Sequence, residues 1–154
     1  MPTCSAACRA RSRRRCAMQL SASRVLLTGA TGGMGRAIVA ALCARGAQVL
    51  VVGRQDKALQ ALVERNPSQV SCLQADLRQP AERASVLRRA QQTGDINLLI
   101  NAAGINHFGL FENMQEQAIN DLIETNLTAT LQLTHGLLPL LRSQPQSCVV
   151  NIGS

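Results

Sequence analysis

Tryptophan and tyrosine are absent from the 154 residues, and phenylalanine occurs only at Phe108 and Phe111. Stacked bases and sugar rings need aromatic faces, so a single-stranded nucleic-acid platform and an aromatic sugar site are excluded. No apolar run reaches the roughly eighteen residues that a membrane-spanning helix requires. Lysine occurs once, at Lys57. No Cys-x-x-Cys pair exists and no histidine stands near a cysteine, so zinc-ligand spacing is missing. Cys4, Cys8 and Cys16 lie in the first segment, while Cys43, Cys72 and Cys148 sit singly inside apolar runs. The last three are expected to be small buried hydrophobes in a reducing compartment rather than parts of a disulfide framework.

Acidic residues are also missing from residues 1–24, which carry six arginines for a charge of +6. The other 130 residues hold ten basic and nine acidic side chains. The net charge of +7 is therefore a property of the leader, and nucleic acid is not an expected partner. Residues 1–23 show no apolar periodicity. They fit a solvated disordered leader, an Arg- and Ser-rich mitochondrial transit peptide, or a segment preceding a start at Met18. The expected location is cytoplasmic, or mitochondrial if the leader acts as a transit peptide. No apolar stretch follows the arginines as a secretory signal demands.

From Arg24 the chain alternates short apolar runs with segments of helical period. Strands are predicted at 24–28, 48–52, 70–74, 96–101 and 148–152. Helices are predicted at 34–45, closed by Gly46, at 56–65, and from Pro80 to Gly94. A long apolar stripe from Ile119 through Leu127 and Leu131 to Leu141 predicts one helix. Asn113 and Glu116 have the spacing of a capping box at its start. Strands without polar alternation, separated by helices, imply a parallel sheet buried on both faces. The fold class is therefore α/β, a Rossmann-type doubly wound sheet over residues 24–154. No helix follows the fifth strand, so the sheet is expected to be truncated there, thinly covered at that edge and prone to self-association.

Between the first strand and the first helix runs Thr28-Gly29-Ala30-Thr31-Gly32-Gly33-Met34-Gly35. Gly29 permits a tight turn, Gly33 lets a pyrophosphate approach the backbone, and Gly35 lets helix and strand pack closely. The helix N-terminus adds unpaired N–H groups and partial positive charge. This Thr-Gly-x-x-x-Gly-x-Gly spacing resembles the short-chain dehydrogenase/reductase family. Four further marks follow in order. Asp76-Leu77 after the third strand is similar to the family's contact to the adenine amino group. Asn101-Ala102-Ala103-Gly104 resembles the Asn-Asn-Ala-Gly signature, with Ala102 in place of the second Asn. Asn126 matches the family's catalytic Asn, and Val-Val-Asn-Ile-Gly-Ser ends at Ser154, the position of its catalytic Ser.

The resemblance implies an oxidoreductase that moves a hydride between NAD(P) and a small carbonyl or alcohol, acting as a homo-oligomer in full-length form. Cofactor-binding residues would be Thr28, Gly29, Thr31, Gly33, Met34, Gly35, Arg54, Asp76, Leu77, Asn101, Ala102 and Gly104. Gly53 stands where NAD-preferring relatives carry an acid for the ribose 2′-OH, and Arg54 follows it. A guanidinium beside no carboxylate suits a 2′-phosphate, so NADP is expected over NAD, with Lys57 or Arg36 as supporting cations. Plainer roles stand beside these. Asp76 could cap the helix before Pro80, Asn101 could bond its own loop, and Asn126 could mark a kink holding a water. His107 and His135 are expected to be incidental. The family's Tyr-x-x-x-Lys acid–base pair has no counterpart, since Tyr is absent and Lys57 lies on another element. A catalytically inactive NAD(P)-binding module is the alternative.

Overall fold

The structure, a computed structural model, describes residues 18–153. The strands are β1 (Arg24–Thr28), β2 (Gln48–Gly53), β3 (Val70–Gln74), β4 (Leu98–Asn101) and β5 (Cys148–Asn151). The helices are α1 (Gly33–Cys43), α2 (Asp56–Arg65), α3 (Pro80–Thr93), α4 (Glu116–Ile123) and α5 (Ala129–Ser143). All strands are parallel and lie in the order β3-β2-β1-β4-β5. The chain therefore winds outward from β1 to β3, then crosses back to β4 on the other side. The reversal between β1 and β4 opens a crevice at the carboxyl ends of those strands, where such sheets bind ligands.

Residues alternate sides along each strand, and both sides are apolar. Val25, Leu27, Val49, Val51, Leu98 and Ile100 face Val39 and Leu42 of α1 and Leu59 and Leu62 of α2. Leu26, Leu50, Val52 and Leu99 face Val86 and Ala90 of α3 and Leu133, Leu137 and Leu141 of α5. The register Leu26↔Leu50 and Leu26↔Leu99 keeps each apolar set on its own face across the sheet.

Several sequence expectations change. Residues 18–23, the end of the expected leader, are structured. Leu20–Ala22 forms a 3-10 turn, and Met18 and Leu20 pack against the α1–α2 core, since apolar side chains there find an uncovered edge. Residues 1–17 lie outside the described residues. The Asn113–Glu116 capping box does not form. Asn113 ends a separate 3-10 turn, Phe111–Asn113, and Gln115 is the N-cap of α4. The single long helix is interrupted by a π-helical turn, Glu124–Thr128, between α4 and α5. Cys43 and Cys72 are half-buried, but Cys148 is exposed because β5 is an edge strand with no outer neighbour among the described residues. Burial raises the thiol pKa of Cys43 and of Cys72.

Candidate dinucleotide-binding cleft

The turn leaving β1 is shaped by backbone contact. Gly29 has φ +70°, and a Cβ there would lie 2.5 Å from the Ala102 carbonyl oxygen. A Cβ on Gly35 would lie 2.2 Å from the Gly29 oxygen, so α1 touches the turn through bare backbone. A Cβ on Gly33 would meet nothing within 4 Å, and Gly33 lines the cleft. Gly32 is the N-cap of α1 and supplies no side chain to its first-turn amides. Free amides at a helix start, with an open glycine, form a fitting seat for a diphosphate. The Arg36 Nε donates to the Thr31 carbonyl, 2.9 Å, which tightens the same turn.

Thr28 and Asn101 stand behind this seat rather than along the cleft. The buried Thr28 Oγ1 accepts the N–H groups of Ala102 and Ala103 at 3.2 and 3.1 Å. That ties the end of β1 to the loop after β4. Asn101 does not bond its own loop. Its Nδ2 donates to Thr134 Oγ1 on α5 and to Asn151 Oδ1 on β5, at 3.1 and 2.8 Å. Asn101 ends β4 in register with Asn151, so a buried amide on a central strand reaches its neighbours before it reaches its own turn.

The cleft encloses about 380 Å³. It is lined by the predicted Gly29, Thr31, Gly33, Met34, Gly35, Arg54, Asp76, Leu77, Ala102 and Gly104. Gln55, Ala75, Ile105 and Thr125 also line it, and no local sequence signal marks them. At the end of β2, Gly53 puts no carboxylate on the cleft wall; a Cβ there would lie 3.3 Å from Thr31 Cγ2, a tight contact with a side chain. Arg54 is exposed at the rim. Its carbonyl accepts from Gln74 Nε2 at 2.9 Å, and its guanidinium forms no ion pair among the described residues.

Asp76 is not the N-cap of α3; Gln79 is. Its carboxylate accepts Arg78 Nε at 3.0 and 3.1 Å, Arg78 Nη2 at 2.6 Å and the Arg78 backbone N–H at 3.0 Å. The side-chain bonds from Arg78 hold the Asp76 carboxyl below its usual range, and the more distant Arg54 adds to this. The third nitrogen of Arg78 donates to Asp121 of α4. The Glu82 carboxylate accepts the Asp76 backbone N–H.

At the opposite end, Asn126 lies within the π-helical turn. Its Oδ1 accepts the Ile105 N–H and its Nδ2 donates to the Ile105 carbonyl, both at 2.9 Å. The extra residue of a π turn aims a side chain that regular spacing would turn elsewhere, and such turns concentrate at functional sites. The Asn126 side chain is thus held by the loop backbone rather than marking a water site. Ser154 lies outside the described residues, but Ile152 N–H donates to the Asn101 carbonyl at 2.9 Å. That bond keeps the chain after β5 at the cleft end of the sheet.

The family model for short chain dehydrogenase matches residues 23–154. The chain belongs to this short-chain dehydrogenase family. The 3-oxoacyl-[acyl-carrier-protein] reductase FabG of Escherichia coli is 31% identical over 138 residues, covering 89% of this chain and 57% of FabG. The ketoacyl reductase HetN of Nostoc sp. is 34% identical over 139 residues, covering 88% and 48%. A short-chain dehydrogenase from Sphingobium yanoikuyae, solved in complex with NADPH, superposes with a TM-score of 0.80 at 34% identity. That match covers 86% of this chain and 53% of the other. The chain thus spans about half the length of the relatives it matches. No helix among the described residues is long and apolar enough to cross a membrane.

Proposed function

We propose that this chain carries the cofactor-binding part of an NADP(H)-dependent carbonyl reductase. The carrying observation is the end of β2, where Gly53 brings no carboxylate and Arg54 brings to the rim a guanidinium with no ion pair among the described residues. When bound, the cofactor supplies a hydride to a carbonyl carbon or takes one from an alcohol. The bare first turn of α1 would seat the diphosphate, Asp76 and Leu77 the adenine, and Ala102 to Gly104 the inner end. Asn126 shapes that inner wall through Ile105, and Ser154 would orient the substrate oxygen. Relatives named as oxoacyl and ketoacyl reductases support a ketone or 3-oxoacyl group as substrate, handled by a homo-oligomer in the full-length protein.

Calorimetric titration of wild type and Arg54→Ala with NADPH and NADH tests the cofactor. Losing one charge-assisted phosphate contact should weaken NADPH about tenfold and leave NADH within about twofold. Equal losses for both would defeat the assignment. A second reading has its own observation. The chain has no tyrosine and a single lysine, Lys57, in the first turn of α2. General acid–base groups contribute about 10²–10⁴-fold to such reactions. The 154-residue chain is therefore expected to bind cofactor without turnover. Cofactor oxidation above background, abolished by Ser154→Ala, would refute this.

A further inference from the structure

We propose that Arg78 determines cofactor choice without touching the cofactor. It neutralises and fixes Asp76, so that Arg54 stays free for a phosphorylated ribose. The inference rests on the NADP(H) reading above and deepens it. Among the described residues lining the cleft, Asp76 carries the sole carboxylate, and Arg54 the sole full positive charge. Arg54 is close enough for its charge to act on Asp76. Left bare, that carboxylate would compete for the Arg54 guanidinium and repel a 2′-phosphate. The observed clamp prevents both.

The clamp has a second anchor, which makes it more than a local turn. Nη1 of Arg78 bonds Asp121 on α4, forty-three residues away in the chain. The side chain of Arg78 is 29% exposed and is stretched between the two carboxylates. Three of its five N–H donors are committed to Asp76 and Asp121, so its charge and orientation are held by the two carboxylates rather than aimed at a phosphate. On the Asp76 carboxylate, the Arg78 bonds fill most acceptor positions and leave room for a neutral donor. A carboxylate thus remains in the cleft as a hydrogen-bond acceptor while its charge is cancelled.

A bare charge roughly 8 Å from a phosphate, at an effective dielectric of about 30, changes binding on the order of tenfold. Dissociation constants for NADPH and NADH are measured by calorimetry at low salt. The proteins compared are wild type, Arg78→Met, Arg78→Lys, Asp76→Asn and the double variant Asp76→Asn/Arg78→Met. Arg78→Met should lower the preference for NADPH over NADH about tenfold. The double variant should return the preference to within about twofold of wild type, because removing one positive and one negative charge leaves the net charge of the Asp76–Arg78–Asp121 group unchanged. Arg78→Lys, which keeps the charge and loses the fork, should retain most of the preference. Equal weakening of both cofactors in Arg78→Met, or no recovery in the double variant, overturns the proposal. If Arg78→Met fails to fold, Asp76→Asn alone decides, since a fall in preference there contradicts the proposal and a constant or raised preference supports it. A wild type without preference, unaltered by Arg54→Ala, would defeat the NADP(H) reading instead, independently of the Arg78 series.

Discussion

At the turn after β1, the glycines at 29 and 35 leave less than a methyl group of space against neighbouring backbone. Across the sheet, the outer face of α5 and the preceding turn leaves Leu127, Leu131 and Leu138 at 54%, 59% and 41% exposure. β5 beside it is likewise half-buried or exposed, where β4 is fully buried. The cleft wall is thus made by backbone meeting backbone, a contact that admits no larger residue. The β5 flank is made of side chains with nothing on their outer side among the described residues. Substitution should therefore destroy the first through packing and change the second through association.

The largest effect is expected from Gly35→Ala. Its Cβ would have to displace the Gly29 oxygen and the Ala30 backbone, neither of which can swing aside as a side chain would. Overpacking costs about 1–3 kcal/mol where side chains give, and a rigid backbone puts the cost at the top of that range or beyond. Denaturant unfolding should show a loss of about 3 kcal/mol or more, with cofactor binding lost too. A neutral substitution would show that the turn has slack and end the contrast between the two regions.

Next in size is Arg83→Met, which tests how the two regions are joined. Arg83, on α3, is 4% exposed. It donates to the Leu77 carbonyl at the cleft, to Gln132 Oε1 on α5 at 2.9 Å and to Glu124 in the π turn at 3.2 Å. Removing one partner of a buried pair costs about 3–5 kcal/mol, but Glu124 is 41% exposed and water can take over its charge. A loss of about 2–3 kcal/mol is therefore expected in chemical denaturation. A smaller effect at the cleft than at α5, read by hydrogen exchange, would mean that the two regions fold separately.

These two positions also mark how far the sequence could be read. Gly35 was legible because helix, strand and glycine spacing are all local, and strand order followed from the alternation of elements. Asp76 and Asn126 were legible as positions, by resemblance, but their actual partners were not. Asp76 pairs with Arg78, two residues on, and through it with Asp121. Asn126 closes on Ile105 across a loop. Arg83 gave no signal at all, since its spacing on α3 matches any surface arginine and only packing shows its burial. The π turn was read as an unbroken helix because one inserted residue shifts the apolar stripe by less than its width. The Asn113–Glu116 pair has capping-box spacing, yet Asn113 closes a 3-10 turn and Gln115 is the N-cap of the helix that starts at Glu116.

On the β5 flank, Leu127→Lys combined with Leu131→Lys should barely alter stability, because both side chains are already more than half in water. A change within about 0.5 kcal/mol is typical of such sites. Sedimentation should move from self-associated species in the wild type to monomer in the variant, since contiguous exposed apolar surface favours association. Identical sedimentation of both would show that the leucine stripe is no association surface and that the open flank is inert.

The smallest effect separates the cleft from the flank by acidity. The bonds from Arg78 lower the folded-state pKa of Asp76 below that of the unfolded chain. The stabilisation from this group is therefore complete above the ordinary aspartate value of about 4 and is lost as pH falls toward the lower folded value. Wild type and Arg78→Met should differ in unfolding free energy by a constant amount from pH 7 to about pH 5. The gap should close progressively below about pH 4, because the protonated Asp76 no longer holds the guanidinium. The leucine double variant carries no carboxylate in this contact, so its difference from wild type should stay level over the same range. A gap for Arg78→Met that stays open at pH 3 would place the stabilising contribution of Arg78 in its packing or its Asp121 contact rather than in the Asp76 carboxylate. The charge clamp on the cleft would then be the part of the contrast to give up.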